Sequence, residues 1–211
     1  SEEPDPAPAA ARGLAHQEWR GTMDVLEAIR SRRSIFRFKG DPIPNEDLEG
    51  ALSYGIWAPN HHLTEPWRFS VLGPATKEKL AQRYREIQIA KVKGPVDEEN
   101  REKIGQAGYD KFMSKPTIVA VSSLRGDDEQ QVREDYAAAC CAIQNIQLAA
   151  WGKGIGIQWS TGPITMEEDT YALLGIDPSQ EDIIGFLYMG YPAETPTSKR
   201  GPVTEVLRWT E

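Results

Sequence analysis

Apolar residues recur along this chain in two rhythms, one helical and one extended. From Leu48, the positions Ala51, Leu52, Gly55 and Ile56 follow the i, i+3, i+4, i+7, i+8 spacing of a helix buried along one face, which Pro59 must end. A longer helix is predicted from about Asp128 to Trp151. It carries Val132, Tyr136, Ala139, Cys140, Ile143 and Ala150, and Gly152 is placed to stop it. An earlier short helix carries Val25, Leu26 and Ile29, with Thr22 placed as its cap. WRFSVL (67–72) alternates as a strand does, and TIVAVS (117–122) is a short continuous apolar run suited to a buried strand. IGIQWS (155–160) and IIGFLYMG (183–190) read as two further strands. Residues 76–113 form a polar helical stretch broken at Lys93-Gly94-Pro95, and Thr165 and Glu168 have capping-box spacing ahead of Tyr171, Leu173 and Leu174.

This mix predicts one α/β or α+β domain around a single central sheet, covering residues 22–211, with no internal repeat. Residues 1–21, rich in Pro, Ala and Glu and without a period, read as a flexible or partner-wrapped extension. The tail PTSKRGPVTEVLRW reads as extended.

Composition narrows the function classes. The chain has 211 residues and a formal net charge of −8, from 24 Lys and Arg against 32 Asp and Glu. An acidic balance argues against nucleic acid or an anionic membrane as the main partner. No apolar run approaches the roughly 20 residues that span a bilayer. Cys140 and Cys141 are the only cysteines, and sequence neighbours rarely form an unstrained disulfide, which favours a reducing, cytoplasmic setting.

Several familiar chemistries find no support. GKGIG (152–156) follows a helix and precedes a strand, the reverse of the order a dinucleotide loop needs. His16, His61, His62 and the two cysteines lack metal-ligand spacing, and no Gly-x-Ser-x-Gly elbow occurs. The cysteines read most simply as two small core residues on a helix.

Against the acidic background, Arg30, Arg32, Arg33, Arg37 and Lys39 place five cations within ten residues, threaded between Ile35, Phe36 and Phe38. Guanidinium forks beside a hydroxyl suit a phosphate. A second cationic cluster, SKRGP (198–202), lies near the C-terminus. Between the two come WAPNHHLTEPWRF (57–69) and QWSTGP (158–163), loops carrying aromatics and polar groups. Such a set suits a ligand with a phosphate at one end and a flat ring at the other.

At these residues the chain resembles the FMN-dependent nitroreductase family. The likeness rests on Arg-Arg-Ser followed by a basic residue and Phe, on Ala-Pro-x-x-x-x-x-x-Pro-Trp about 25 residues later, and on GFLYMGYP followed by a basic residue just before Pro202. It covers roughly residues 22–211. The resemblance implies an α+β fold with a central mixed sheet flanked by helices, and an intertwined homodimer with FMN at the interface and a C-terminal arm crossing to the partner. It assigns Arg32, Arg33, Ser34 and Arg200 to the FMN phosphate and ribityl chain. It places Trp57, Asn60 and His61 against the flavin of the other subunit, and Trp159, Ser160 and Thr161 along the isoalloxazine. It names no catalytic side chain, because the flavin itself carries the reducing equivalents. The implied activity is ping-pong transfer from NADH or NADPH to nitroaromatic, quinone or similar acceptors. The alternatives are a reductive dehalogenase or a flavin-binding, redox-sensing dimer without turnover. The sequence departs from the family pattern at Phe36, where many members carry a cation, and at Leu63 and Glu65, where Asn and Gln are common.

Overall fold

The computed structural model of the protein describes residues 23–210, so the expected extension over residues 1–21, Thr22 and His16 lie outside the described residues. Six helices and four strands follow in the order α1 (Val25–Ser31), α2 (Asn45–Gly55), β1 (Trp67–Val71), α3 (Pro74–Ala90), α4 (Glu98–Met113), β2 (Thr117–Leu124), α5 (Glu129–Gly152), β3 (Gly156–Ser160), α6 (Glu168–Leu174) and β4 (Glu181–Gly190). All four strands expected from the apolar pattern form. They pair antiparallel in the order β1-β2-β4-β3, so β1 and β3 are the edges. The sheet is therefore antiparallel throughout rather than mixed as expected; one isolated parallel bridge, Ser34 to Ile157, lies on the outer side of β3.

Helices cover both faces of the sheet, which is why β2 and β4 read as nearly unbroken apolar runs. On one face, Val119, Val121, Leu187 and Met189 meet α2 and α5 through Leu48, Ala51, Ala139, Ala142, Ile143 and Ile146. On the other, Ile118, Ala120, Phe186 and Tyr188 meet α3, α4 and the 3-10 turn before α6 through Leu80, Ala81, Phe112 and Ile164. Alternate residues of each strand therefore serve opposite cores, as the pleat requires.

Several local expectations are corrected. Asp24 caps α1, its carboxylate accepting the Leu26 amide at 2.9 Å. The left-handed residue ending α5 is Gly154 rather than Gly152, with Lys153 as the C-cap. Thr165 forms no capping box; its hydroxyl donates to the Gly162 carbonyl within a short 3-10 turn, and Glu167 takes the cap position. Cys140 is half-buried while Cys141 is exposed, because successive helical positions point about 100° apart. Among the described residues no helix is long and apolar enough to cross a membrane, and no group of three or more His, Cys, Asp or Glu is placed to hold a metal.

Candidate active site

The basic stretch is held as the apolar residues within it suggested, with one exception. Ile35 is fully buried, Phe38 is half-buried, and Phe36 points outward at 57 % exposure. Ile35 N donates to the Ile157 carbonyl at 3.2 Å, and Lys39 N to that of Tyr191 at 2.8 Å, so residues 34–39 run along β3 and the chain beyond β4. Gly156 permits the approach: a Cβ there would lie 2.4 Å from Ile35 Cγ1. From beneath, the buried Lys115 donates to the Phe36 carbonyl at 3.0 Å and sits over the rings of Phe38 and Tyr188. Burial pushes its ammonium pKa down.

At the head of this segment, Ile29, Arg30, Arg32, Arg33, Ser198 and Arg200 line a cavity of about 370 Å³. Among the described residues, no acidic side chain lines it. Arg33 donates to the carbonyls of Arg30 (2.6 Å) and Arg32 (2.9 Å), and Arg200 donates to the Ser198 hydroxyl and the Lys199 carbonyl. The Nε atoms of Arg32 and Arg33 are buried and have no hydrogen-bond partner among the described residues. The Arg32 pKa is lowered first by burial and then by the charges of Arg200 and Arg33. Like charges gathered in a partly dehydrated hollow repel one another unless an anion joins them. Arg30 and Ser198 were missed as site residues. Arg30 stood within the cationic run and Ser198 opens SKRGP, but nothing local marked either as facing the cavity. Arg37, beside the outward Phe36, lies 3.7 Å from Glu194 at the surface and does not line the cavity.

The Ser34 bridge sets this cluster beside β3, so about 10 Å of strand separates Ser34 from Ser160. Along that strand end, Trp159 is half-buried and donates its indole N–H to the Ile184 carbonyl at 3.2 Å, a packing role. Ser160 is half-buried beside the Tyr188 hydroxyl, and Thr161 is exposed.

Trp57, Asn60 and His61 do not join this group within one chain. Their loop precedes β1, at the opposite sheet edge, about 14 Å away across three strand spacings. It docks on α5 through His61 and Glu134, whereas the arginine end of the site touches α5 through Trp151, whose indole N–H donates to the Ser31 hydroxyl at 2.9 Å. Those two α5 residues lie about 25 Å apart along the helix. Trp57 is 78 % and Leu63 81 % exposed. Asn60 is turned inward, accepting the Glu65 amide at 3.0 Å and donating to the Ala58 carbonyl.

Tyr84 and Glu86 on α3 and Tyr109 on α4 are engaged locally. Tyr84 packs on Phe112, Glu86 pairs with Arg83, and Tyr109 donates to Glu78.

Comparison with known proteins agrees with this architecture. Residues 29–191 match the sequence profile of the nitroreductase family. The chain is 33 % identical over 189 residues to YfhC of Bacillus subtilis (strain 168), named provisionally as an NAD(P)H nitroreductase, across 89 % of this chain and 93 % of that protein. A nitroreductase-like family protein from Bacillus cereus superposes with a TM-score of 0.75 at 30 % identity, over 90 % of this chain and 97 % of that one. A nitroreductase with bound FMN from Bacteroides fragilis NCTC 9343 gives a TM-score of 0.67 at 27 % identity, over 90 % and 100 % of the two chains. With its arginine hollow set beside the sheet edge and a profile match running from α1 to the end of β4, this chain belongs to the nitroreductase family.

Proposed function

We propose that the chain binds FMN and, as a homodimer, uses NADH or NADPH to reduce nitroaromatic, quinone or similar acceptors. The single observation that carries the cofactor is a cavity of four arginines that, among the described residues, has no carboxylate in its lining and two buried Nε atoms without a partner. A phosphate dianion fits that donor set in charge and in hydrogen-bonding capacity. Arg32, Arg33, Arg200 and Ser198 are the residues that would hold it, with Ser34 and the end of β3 alongside. When bound, FMN supplies the chemistry, accepting a hydride equivalent from the nicotinamide and passing reducing equivalents to the acceptor. The chain's own part is binding, orientation and exclusion of water, and no side chain is assigned a proton-transfer role. A shared place for donor and acceptor implies ping-pong kinetics.

Two features support a site made by two chains. The loop bearing Trp57, Asn60 and His61 lies across the sheet from the arginines in its own chain. The tail leaves Val203, Val206, Leu207 and Trp209 exposed, and α1 exposes Val25, Leu26 and Ile29, apolar surface that a second copy would cover. In such a dimer the loop of one chain meets the flavin held by the arginines of the other.

The test is the absorption spectrum of purified protein followed by anaerobic addition of NADH and NADPH. One flavin per chain, bleached by either donor and recoloured by a quinone, is the expected result. A colourless protein that ignores added FMN would overturn the cofactor. Flavin that neither donor reduces would leave a binding or sensing dimer instead.

A further inference from the structure

The loop from Asn60 to Pro66 is strained. His62, Leu63 and Glu65 all sit in the left-handed region, at φ +54°, +53° and +44°, and none is glycine. Such backbone persists only where its surroundings over-determine it. Burial does not do so here, since Leu63 is 81 % exposed and His61, His62 and Glu65 are also at the surface. The shape thus turns an apolar side chain outward at a conformational cost, which suits a surface that meets something.

What holds the loop is a pair of adjacent carboxylates on α5. Glu134 Oε2 lies 2.7 Å from His61 Nδ1, and its other oxygen accepts Gln130 Nε2 at 2.9 Å. Those two hydrogen bonds, Gln130's foremost, hold the Glu134 carboxyl below its ordinary range. Asp135, 3 % exposed, accepts the Thr64 hydroxyl at 2.6 Å. A carboxylate that deep is costly without such a bond. The bonds fall on either side of the left-handed pair, with Glu134 gripping the residue before His62 and Asp135 the residue after Leu63. Within the loop, Asn60 and Arg68 close the far end, Asn60 by accepting Glu65 N and Arg68 by donating to the Glu65 carbonyl at 3.0 Å.

We infer that Glu134 and Asp135 are positioning residues that hold this loop in its left-handed form and thereby set where Leu63 stands in the acceptor pocket of the partner's site. The inference rests on the reading that the loop borders the flavin of a second chain. Neither carboxylate faces a reacting atom. Both act through His61 and Thr64.

The experiment uses the full-length protein and compares Thr64→Val, which keeps the shape and loses the hydroxyl, with Thr64→Ser, which keeps the hydroxyl, alongside Asp135→Asn and Glu134→Gln. Three readouts are taken: amide hydrogen exchange of residues 60–66, the visible spectrum and affinity of bound FMN, and KM against kcat for a quinone. The expected result for Thr64→Val is loop exchange faster by about tenfold or more, as for a lost charge-assisted hydrogen bond. Acceptor KM should rise several-fold with a shifted flavin spectrum, FMN affinity should stay within about twofold, and Thr64→Ser should restore all three. Unchanged loop exchange overturns the clamp. Faster exchange with an unchanged spectrum and KM overturns the positioning role and leaves a structural contact. Wild-type protein that takes up no FMN would refute the underlying reading instead, and loop exchange, which needs no flavin, still decides the clamp.

Discussion

Gly185→Ala should unsettle the end of β3 from within the sheet. Gly185 sits on β4 at φ +157°, opposite Val121, where the β2–β4 register slips and Ile184 is left between pairs. A Cβ there would come 2.2 Å from Trp159 Nε1, 2.6 Å from its Cδ1 and 3.0 Å from the Ser160 carbonyl oxygen. The indole must move, which forfeits its hydrogen bond to the Ile184 carbonyl. Overpacking of this kind costs about 1–3 kcal/mol, and the lost bond about 1 kcal/mol more. The midpoint gives roughly 3 kcal/mol, or about 6–12 °C in melting temperature for a domain of this size. Thermal denaturation followed by circular dichroism measures it. The cause is tested by a double-mutant cycle: in a Trp159→Ala background the indole is gone, and the cost of Gly185→Ala should fall by about half. A melting temperature within 2 °C of wild type, or costs that simply add, would refute the steric account.

The remaining predictions concern the cavity, the arm and alkaline stability. Arg32→Ala or Arg200→Ala should weaken FMN by roughly 10–100-fold in a fluorescence titration, as for one charge-assisted contact of about 1.5–3 kcal/mol, with the fold intact. Truncation after Pro202 should lower dimer stability and release FMN together in size-exclusion chromatography with absorbance detection. An FMN-bound monomer would count against the two-chain site. Mixed Arg32→Ala and Trp57→Ala chains should recover one working site per heterodimer, whereas each homodimer is impaired. Burial pushes the Tyr188 phenol up to about 12, against about 10 in an unfolded chain. The unfolded state therefore sheds this proton first, and stability falls as pH rises from about 10 towards 12. Ultraviolet titration of wild type against Tyr188→Phe isolates that component.

Much of the fold was legible because strands and long helices carry their own period. The nearly unbroken apolar runs TIVAVS and GFLYMG are strands that serve two cores at once, and the spacing of Leu48, Ala51 and Gly55 is the face α2 turns to α5. The strand order was not legible, since pairing β2 with β4 joins segments far apart in sequence by contacts that leave no local mark. The capping box at Thr165 failed because tertiary packing placed a 3-10 turn there, where Thr165 and Thr170 hydroxyls bond to nearby carbonyls. For the candidate site, clustering singled out Arg32, Arg33 and Arg200, and these line one cavity, because charge density survives translation into space. Arg30 and Ser198 needed the cavity to be seen. Asn60, expected against the flavin of the other subunit, has its short amide side chain hydrogen-bonded to its own loop. The left-handed run through His62, Leu63 and Glu65 had no composition signal at all, since glycine and asparagine are the residues that usually announce it.

The arginine hollow also orders events in time. Its walls come from residues 29–33 and from Ser198 and Arg200, near opposite ends of the described chain. During synthesis at about 5–20 residues per second, the first wall waits roughly 10–30 s for the second. A nascent chain therefore emerges with Arg30, Arg32 and Arg33 close together and no partner wall until Ser198 and Arg200 have been added. A chain cut before Ser198 retains every residue of the six helices and four strands but lacks Arg200, so under the proposed function weakened flavin binding marks a chain that has lost this wall.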